Sequence, residues 1–350
     1  MSGRVSVLIV DDSAYMRVVL KDLLESDPDI SVVGAARDGM EAIEKVKALS
    51  PNVVLLDIQM PKMDGVVTLQ RIMKEAPSRV VMLSAMDKMD DQLPLKALEL
   101  GAIDFISKPS GPVSIDIVNF KDRIIEVVKG AAATKVEVLK KSRAAVPHKV
   151  RPVEEDSVRG HKVIVIGASM GGPRALEILF ASLPRDLPAS FLIVQHIPYE
   201  FSLTFAKRLD AALGPPVRLA ADGLELAKGT AYVAPGGKHL MVAKRGRTQL
   251  LIKLDDGEPV NYVKPAADVL FKSAAECVGR NLLGVVLTGM GSDGAQGAVA
   301  IRRAGGRVIV QDEQTSVATS MPLSVIEAGV ADKVLPLEKI PEEIIKFLEE

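Results

Sequence analysis

The sequence predicts an α/β protein built from two doubly wound parallel-sheet domains. The N-terminal domain is flavodoxin-like, and the C-terminal domain is Rossmann-like with an antiparallel hairpin region. Three observations lead there. Short apolar runs alternate with helical periodicity twice along the chain. A length of 350 residues exceeds what one hydrophobic core usually serves. Between the two series lies a stretch of mixed charge and prolines without apolar periodicity.

In the first series the runs 5–10, 30–34, 53–56, 80–83 and 104–106 read as buried strands. Helical spacing falls between them near 14–25, 39–49, 66–74 and 93–100, with a fifth helix after Ile115. Uninterrupted apolar strands separated by helices require a sheet covered on both faces. This domain is assigned to residues 1–125. Residues 126–160 read as a linker, its first part extending the preceding helix, and residues 161–350 form the second domain. There the strands are 163–166, 191–195, 283–287, 307–310 and 333–335, with helices starting near Pro173, Glu200, Pro265, Gly294, Pro322 and Pro341. Between 217 and 254, short runs separated by Gly-Gly and Arg-Gly-Arg turns read as antiparallel strands or hairpins.

Composition narrows the function. A net charge of -1 and the lack of a basic stripe argue against nucleic acid as a partner. The single cysteine, Cys277, sits in an amphipathic pattern and reads as a small apolar side chain. The first apolar run meets two aspartates too soon for a signal peptide, and no apolar stretch reaches the ~18 residues of a membrane span. A cytoplasmic location without membrane insertion is expected.

Asp11 and Asp12 follow the first strand, Asp57 ends the third, Ser84 the fourth and Lys108 the fifth. In an open parallel sheet these ends share one edge, where ligands bind. Singly, such aspartates are helix caps or loop ends, and Asp12 before Ser13 and Asp64 before Gly65 fit that reading. Together, three carboxylates call for a hard cation, and Mg²⁺ suits them.

In the second half, a strand enters Gly167-Ala168-Ser169-Met170-Gly171-Gly172-Pro173, a strand-turn-helix context that exposes a serine. Ser169 as a plain helix cap and the loop as a phosphate cradle are the competing readings. A dinucleotide site wants an acid at the end of the next strand, but Gln195-His196 stands there. His196 is therefore the candidate general base, chosen among four histidines. The strand 283–287 leads into Gly289-Met290-Gly291-Ser292-Asp293-Gly294. Asp293 is either an N-cap or the group that orients His196, and this turn's amides are candidate oxyanion donors. The order Ser169, His196, Asp293 differs from that of the α/β-hydrolases.

The motifs Val-Asp11-Asp12-Ser, Leu-Leu-Asp57-Ile-Gln-Met-Pro61, Leu-Ser84-Ala and Ser-Lys108-Pro109 resemble the receiver domain of two-component response regulators. That resemblance implies phosphorylation of Asp57 by a sensor histidine kinase, with Mg²⁺ on Asp11, Asp12 and Asp57. It places Ser84 and Lys108 on the phosphoryl oxygens and Phe105 at the aromatic switch position. Gly-Ala-Ser169-Met-Gly-Gly, Gln-His196-Ile-Pro198, Ala-Pro-Gly-Gly-Lys-His239 and Thr-Gly-Met290-Gly-Ser-Asp293-Gly resemble the catalytic domain of chemotaxis protein-glutamate methylesterases. This implies phosphorylation-activated hydrolysis of glutamate methyl esters, and deamidation of glutamines, on methylated chemoreceptor cytoplasmic domains. It also implies Met290 in the oxyanion hole and no cofactor for the hydrolytic step. Met170 departs from the threonine that commonly follows the nucleophile. A response regulator whose second half only binds a nucleotide or protein is the rival; a transcription-factor output would need a basic module that the second half lacks.

Overall fold

The computed structural model describes residues 4–85, 93–108, 116–134, 160–212, 214–246 and 249–350. The chain divides into two compact units, Met1–Arg143 and Ala144–Glu350. Most of the expected linker, 135–159, lies outside the described residues, as does Pro109. Residues 126–133 of that linker are the last turns of the helix Asp116–Ala133.

The first unit holds five parallel strands, β1 (Val5–Val10), β2 (Ile30–Ala36), β3 (Val53–Asp57), β4 (Val80–Ala85) and β5 (Asp104–Lys108), in the order β2-β1-β3-β4-β5. This is the flavodoxin-like order, with its switch point between β1 and β3. Strand β3 is buried at every residue, which accounts for its unbroken apolar run. Asp64 caps the helix Gly65–Glu75 through Val67 N–H at 2.8 Å. Asp12 does not cap the first helix, Ala14–Glu25; Ser13 Oγ does, accepting from Met16 N–H.

The second unit is a seven-stranded sheet in the order β14-β13-β12-β6-β7-β9-β8. Its strands are β6 (Lys162–Ala168), β7 (Ala189–Gln195), β8 (Val217–Leu219), β9 (Thr230–Val233), β12 (Leu282–Val286), β13 (Arg307–Gln311) and β14 (Lys333–Leu335). Every pairing in it is parallel. The texture of 217–254 is thus only partly antiparallel. Strands β10 (His239–Arg245) and β11 (Gln249–Asp255) form the expected hairpin, whereas β8 and β9 continue the parallel sheet. The cause is register: Ser190–Ile193 of β7 offers an open edge to Thr230–Val233, and β9 in turn presents its far edge to Val217–Leu219.

Alternation along β6 and β7 splits the core. Val163, Val165, Leu192 and Val194 join one buried cluster with Phe271 of the helix Ala267–Val278 and Leu240 of the hairpin. On the opposite face Phe191 meets Phe180 of the helix Gly172–Ser182 edge-on, with centroids 5.8 Å apart. The hairpin is fastened to Ala267–Val278 by Val242 N–H donating to Ser273 Oγ at 3.1 Å. Among the described residues, no helix is long and apolar enough to cross a membrane.

Phe271 lies where glycines leave room. A methyl group at Gly297 would come within 2.4 Å of Phe271 Cβ, and one at Gly167 within 3.5 Å of its ring. Gly297 lies inside the helix Ala295–Arg303, where alanine is ordinarily better than glycine by ~0.5–1 kcal/mol. Here the sign reverses: Gly297→Ala is expected to destabilise the second unit by about 1–3 kcal/mol through overpacking, read from chemical denaturation. A more stable variant would show that the two helices separate freely.

Candidate functional site

Strands β12, β6 and β7 are neighbours, and the three candidates Asp293, Ser169 and His196 follow them in that order. Ala168 is the register partner of Gln195, and His196 N–H donates to Ala168 O at 3.1 Å, so the turns after β6 and β7 start side by side. Ser169 N–H donates to Thr288 O at 3.0 Å, tying the same turn to the end of β12. The chain crosses over to β7 on one side of β6, while β12 lies on the other. The cluster therefore occupies a topological switch point.

Ser169 is 3 % exposed. It does not cap the helix that follows, because Gly171 holds the N-cap at φ +74° with no side-chain cap bond. Its carbonyl accepts from Gly172 N–H and from Gln195 Nε2, so the residue where a dinucleotide site would carry an acid holds the serine turn instead. Gly289 presses against the serine from the other side: a methyl group there would lie 2.9 Å from Ser169 Cβ. Among the described residues Ser169 Oγ has no hydrogen-bond partner, His196 included. Where a serine and a histidine act as nucleophile and base, their contact is often long until substrate binds.

His196 Nε2 lies 2.9 Å from Asp293 Oδ2. Asp293 is buried and surrounded by donors. Its Oδ2 accepts from Ala267 N–H at 2.6 Å, and its Oδ1 accepts from Asp268 N–H, Gly294 N–H and Asn261 Nδ2, each at 3.0 Å. Burial pushes the carboxyl up, but His196 and the Asp268 and Ala267 amides outweigh it and hold Asp293 below the usual carboxylate range. The capping alternative is realised on a different helix. Gly294, not Asp293, is the N-cap of Ala295–Arg303, and Asp293 instead caps Ala267–Val278, whose own N-cap Ala266 has no side chain to do it. In return Asp268 Oδ1 accepts from Gly297 N–H at 2.6 Å, so each helix is capped by an aspartate from the other's segment.

Sequence reasoning missed Asn261, Asp268 and Thr288. Thr288 Oγ1 accepts from Val317 and Ala318 N–H at 3.0 Å each and donates to Met170 O at 2.8 Å, pinning three loops behind the serine. Met290 N–H has no acceptor among the described residues. Met170 is 1 % exposed, so its side chain fills the interior. His239 is saturated by backbone, with Nε2 on Glu258 O and Nδ1 on Ala266 N–H. Cys277 is half-buried against Val242 O, and burial raises its thiol.

In the first unit, Asp11, Asp12 and Asp57 place carboxylate oxygens within 4.8 Å of one another. Asp11 and Asp57 are buried and Asp12 is exposed. Lys108 Nζ bridges Asp11 Oδ2 at 2.7 Å and Asp57 Oδ2 at 2.8 Å. Burial raises the Asp57 carboxyl above its usual range; Lys108 opposes the rise and Asp11 adds to it. Met60, Pro61 and Leu93 complete the walls of this cavity. Ser84 is buried and pairs in register with Ser107, and Phe105 is buried opposite Met82.

Residues 7–117 match the response regulator receiver domain and residues 164–344 match the CheB methylesterase family. A protein-glutamate methylesterase/protein-glutamine glutaminase of Pyrococcus horikoshii is 46% identical over 357 residues, covering 100% of this chain and 95% of its own. One of Pyrococcus abyssi is 45% identical, with the same coverage. The crystal structure of the Thermotoga maritima CheB methylesterase catalytic domain aligns with a TM-score of 0.52 at 42% identity, covering 54% of this chain and 99% of that one. The chain belongs to the CheB family of receiver-linked protein-glutamate methylesterases/protein-glutamine glutaminases.

The raised Asp57 carboxyl has a stability sign. A carboxyl whose folded pKa exceeds its unfolded value of 3.8 makes the folded state less stable as pH rises through that window. Asp57→Asn is therefore expected to melt higher than wild type at pH 7 without divalent cation, and the gap should close as pH falls below 4. Thermal unfolding of the full chain at both pH values measures it; a variant that melts lower at pH 7 would mean that the Lys108 bridge dominates.

Proposed function

We propose that the chain is a phosphorylation-activated hydrolase of the cytoplasm. It removes methyl groups from glutamate methyl esters, and deamidates glutamines, on chemoreceptor cytoplasmic helices. The contact between His196 Nε2 and the ionised Asp293 carries this reading. With its Nε2 proton directed to a carboxylate, the neutral imidazole has Nδ1 as its acceptor. Nδ1 takes the Ser169 hydroxyl proton as Oγ bonds to the ester carbonyl carbon, and Asp293 stabilises the resulting imidazolium. The imidazolium then protonates the leaving group as its bond to the carbonyl carbon breaks, giving methanol from an ester or ammonia from an amide and leaving an acyl-Ser169. A water deprotonated by the same nitrogen adds to the acyl carbon, the bond to Ser169 Oγ breaks as the imidazolium returns the proton to Oγ, and the glutamate carboxylate is released. The unpaired Met290 amide is suited to the oxyanion, a donor whose loss typically costs about 100- to 1,000-fold in such sites.

In the receiver, Asp57 takes the phosphoryl group from a chemotaxis sensor histidine kinase, and Ser84 and Lys108 hold its oxygens. The close approach of Asp11, Asp12 and Asp57 carboxylates fits a hard divalent cation. Asp11, Asp12 and Asp57 would hold Mg²⁺, which when bound would neutralise part of the charge of the incoming phosphate. Phe105 reports the change at the switch position.

Ser169→Ala is expected to cut methanol release from methylated receptor by about three orders of magnitude or more while melting like wild type, since its hydroxyl holds no other group. A fluorophosphonate should label wild type at Ser169; release that persists in the variant would end the serine mechanism. Acetyl phosphate with Mg²⁺ is expected to accelerate wild type and leave Asp57→Asn unchanged. Equal wild-type rates with and without the phosphodonor would remove the regulatory half.

A further inference from the structure

Asn261 lies outside every motif that points to the site, yet its side chain reaches the centre of it. Val260 and Val263 exchange both backbone hydrogen bonds, at 3.2 and 3.1 Å, and Asn261 and Tyr262 between them have φ of 54° and 63°. Two left-handed central residues define a type I′ turn. Asparagine tolerates that conformation, whereas a bulky residue such as Tyr262, fully exposed here, does so at a cost. From this turn Asn261 Nδ2 donates to Asp268 Oδ2 at 2.9 Å and to Asp293 Oδ1 at 3.0 Å. Its two N–H bonds are shared between two buried carboxylates.

One amide thus bridges the two carboxyl groups, and donors of this kind offset the repulsion between neighbouring carboxylates. The other donors to Asp293, apart from His196, are backbone amides fixed by helix and turn. Asn261 Oδ1 accepts nothing among the described residues, so this amide is used for donation alone. We propose that Asn261 is a positioning residue for Asp293: shared between Asp268 and Asp293, its amide keeps the carboxylate that meets His196 in place. This rests on the hydrolase reading above for its effect on rate, but not for its effect on the His196–Asp293 contact.

The turn and the amide are separable by substitution. Asn261→Gly preserves a left-handed turn residue and deletes both donated hydrogen bonds. Such bonds to charged groups correspond to about 10- to 100-fold in rate, so kcat is expected to fall by that factor, with KM changed by no more than about twofold. The Nε2 proton resonance of His196, observed by NMR in the full chain, is expected to move upfield as the contact with Asp293 loosens. Asn261→Asp also keeps the turn but adds a third carboxylate, and its kcat should fall further than that of the glycine variant. Wild-type kcat and an unmoved resonance in Asn261→Gly would overturn the proposal and leave Asn261 as a turn former. Ser169→Ala, measured alongside, separates the two levels. If it retains activity while Asn261→Gly still shifts the His196 resonance, the serine mechanism falls and the positioning role stands.

Discussion

The acceptance of helix amides by Asp293 is the interaction on which the second unit turns. Its carboxylate takes the first N–H groups of Ala267–Val278 and meets His196 on the same oxygen that accepts from Ala267. A helix N-terminus carries partial positive charge, so it favours the ionised carboxylate. Asp268 returns the favour to Ala295–Arg303 through Gly297. The loop after β12 is thereby held from both ends, and with it the Gly289 backbone that abuts Ser169.

The two units treat a buried aspartate in opposite ways. Asp293 and Asp57 are both nearly inaccessible, at 2 % and 4 % exposure, yet one carboxyl is lowered and the other raised. Burial acts alike on both; the surroundings differ. Asp293 accepts from three backbone amides and an imidazole that serve no other anion, and only the Asn261 amide is divided with Asp268. Asp57 shares one ammonium with Asp11, so part of its compensation is divided with another anion. On the roles proposed above, a site that holds a steady charge and a site that accepts a new charged group are thus built from the same side chain.

Most of the fold was legible because apolar runs, glycine turns and acidic strand ends are local signals. Strand order in the second unit brings the turns that carry Ser169, His196 and Asp293 to neighbouring strand ends, since β12, β6 and β7 adjoin. The parallel placement of β8 and β9 was not legible, because a three- or four-residue strand carries no direction in its composition; an open edge on β7 supplies it. Asn261 and Thr288 escaped for another reason. Their role comes from where an amide or hydroxyl lands after folding, and an Asn before an exposed Tyr reads locally as an ordinary turn. Asp268 carried a faint signal as an acid in a first helical turn, but the helix it caps is not its own.

The serine hydroxyl is the exception in this tightly bonded corner, for it supports no neighbour. Asp293, by contrast, closes a helix end and a loop as well as meeting His196. A lineage that lost the hydroxyl would keep a folded domain with its receiver and its surface unaltered. On the serine mechanism proposed above, this architecture therefore stands one substitution from a non-catalytic descendant able to persist as a binding protein, and that route runs through Ser169 rather than through the acid.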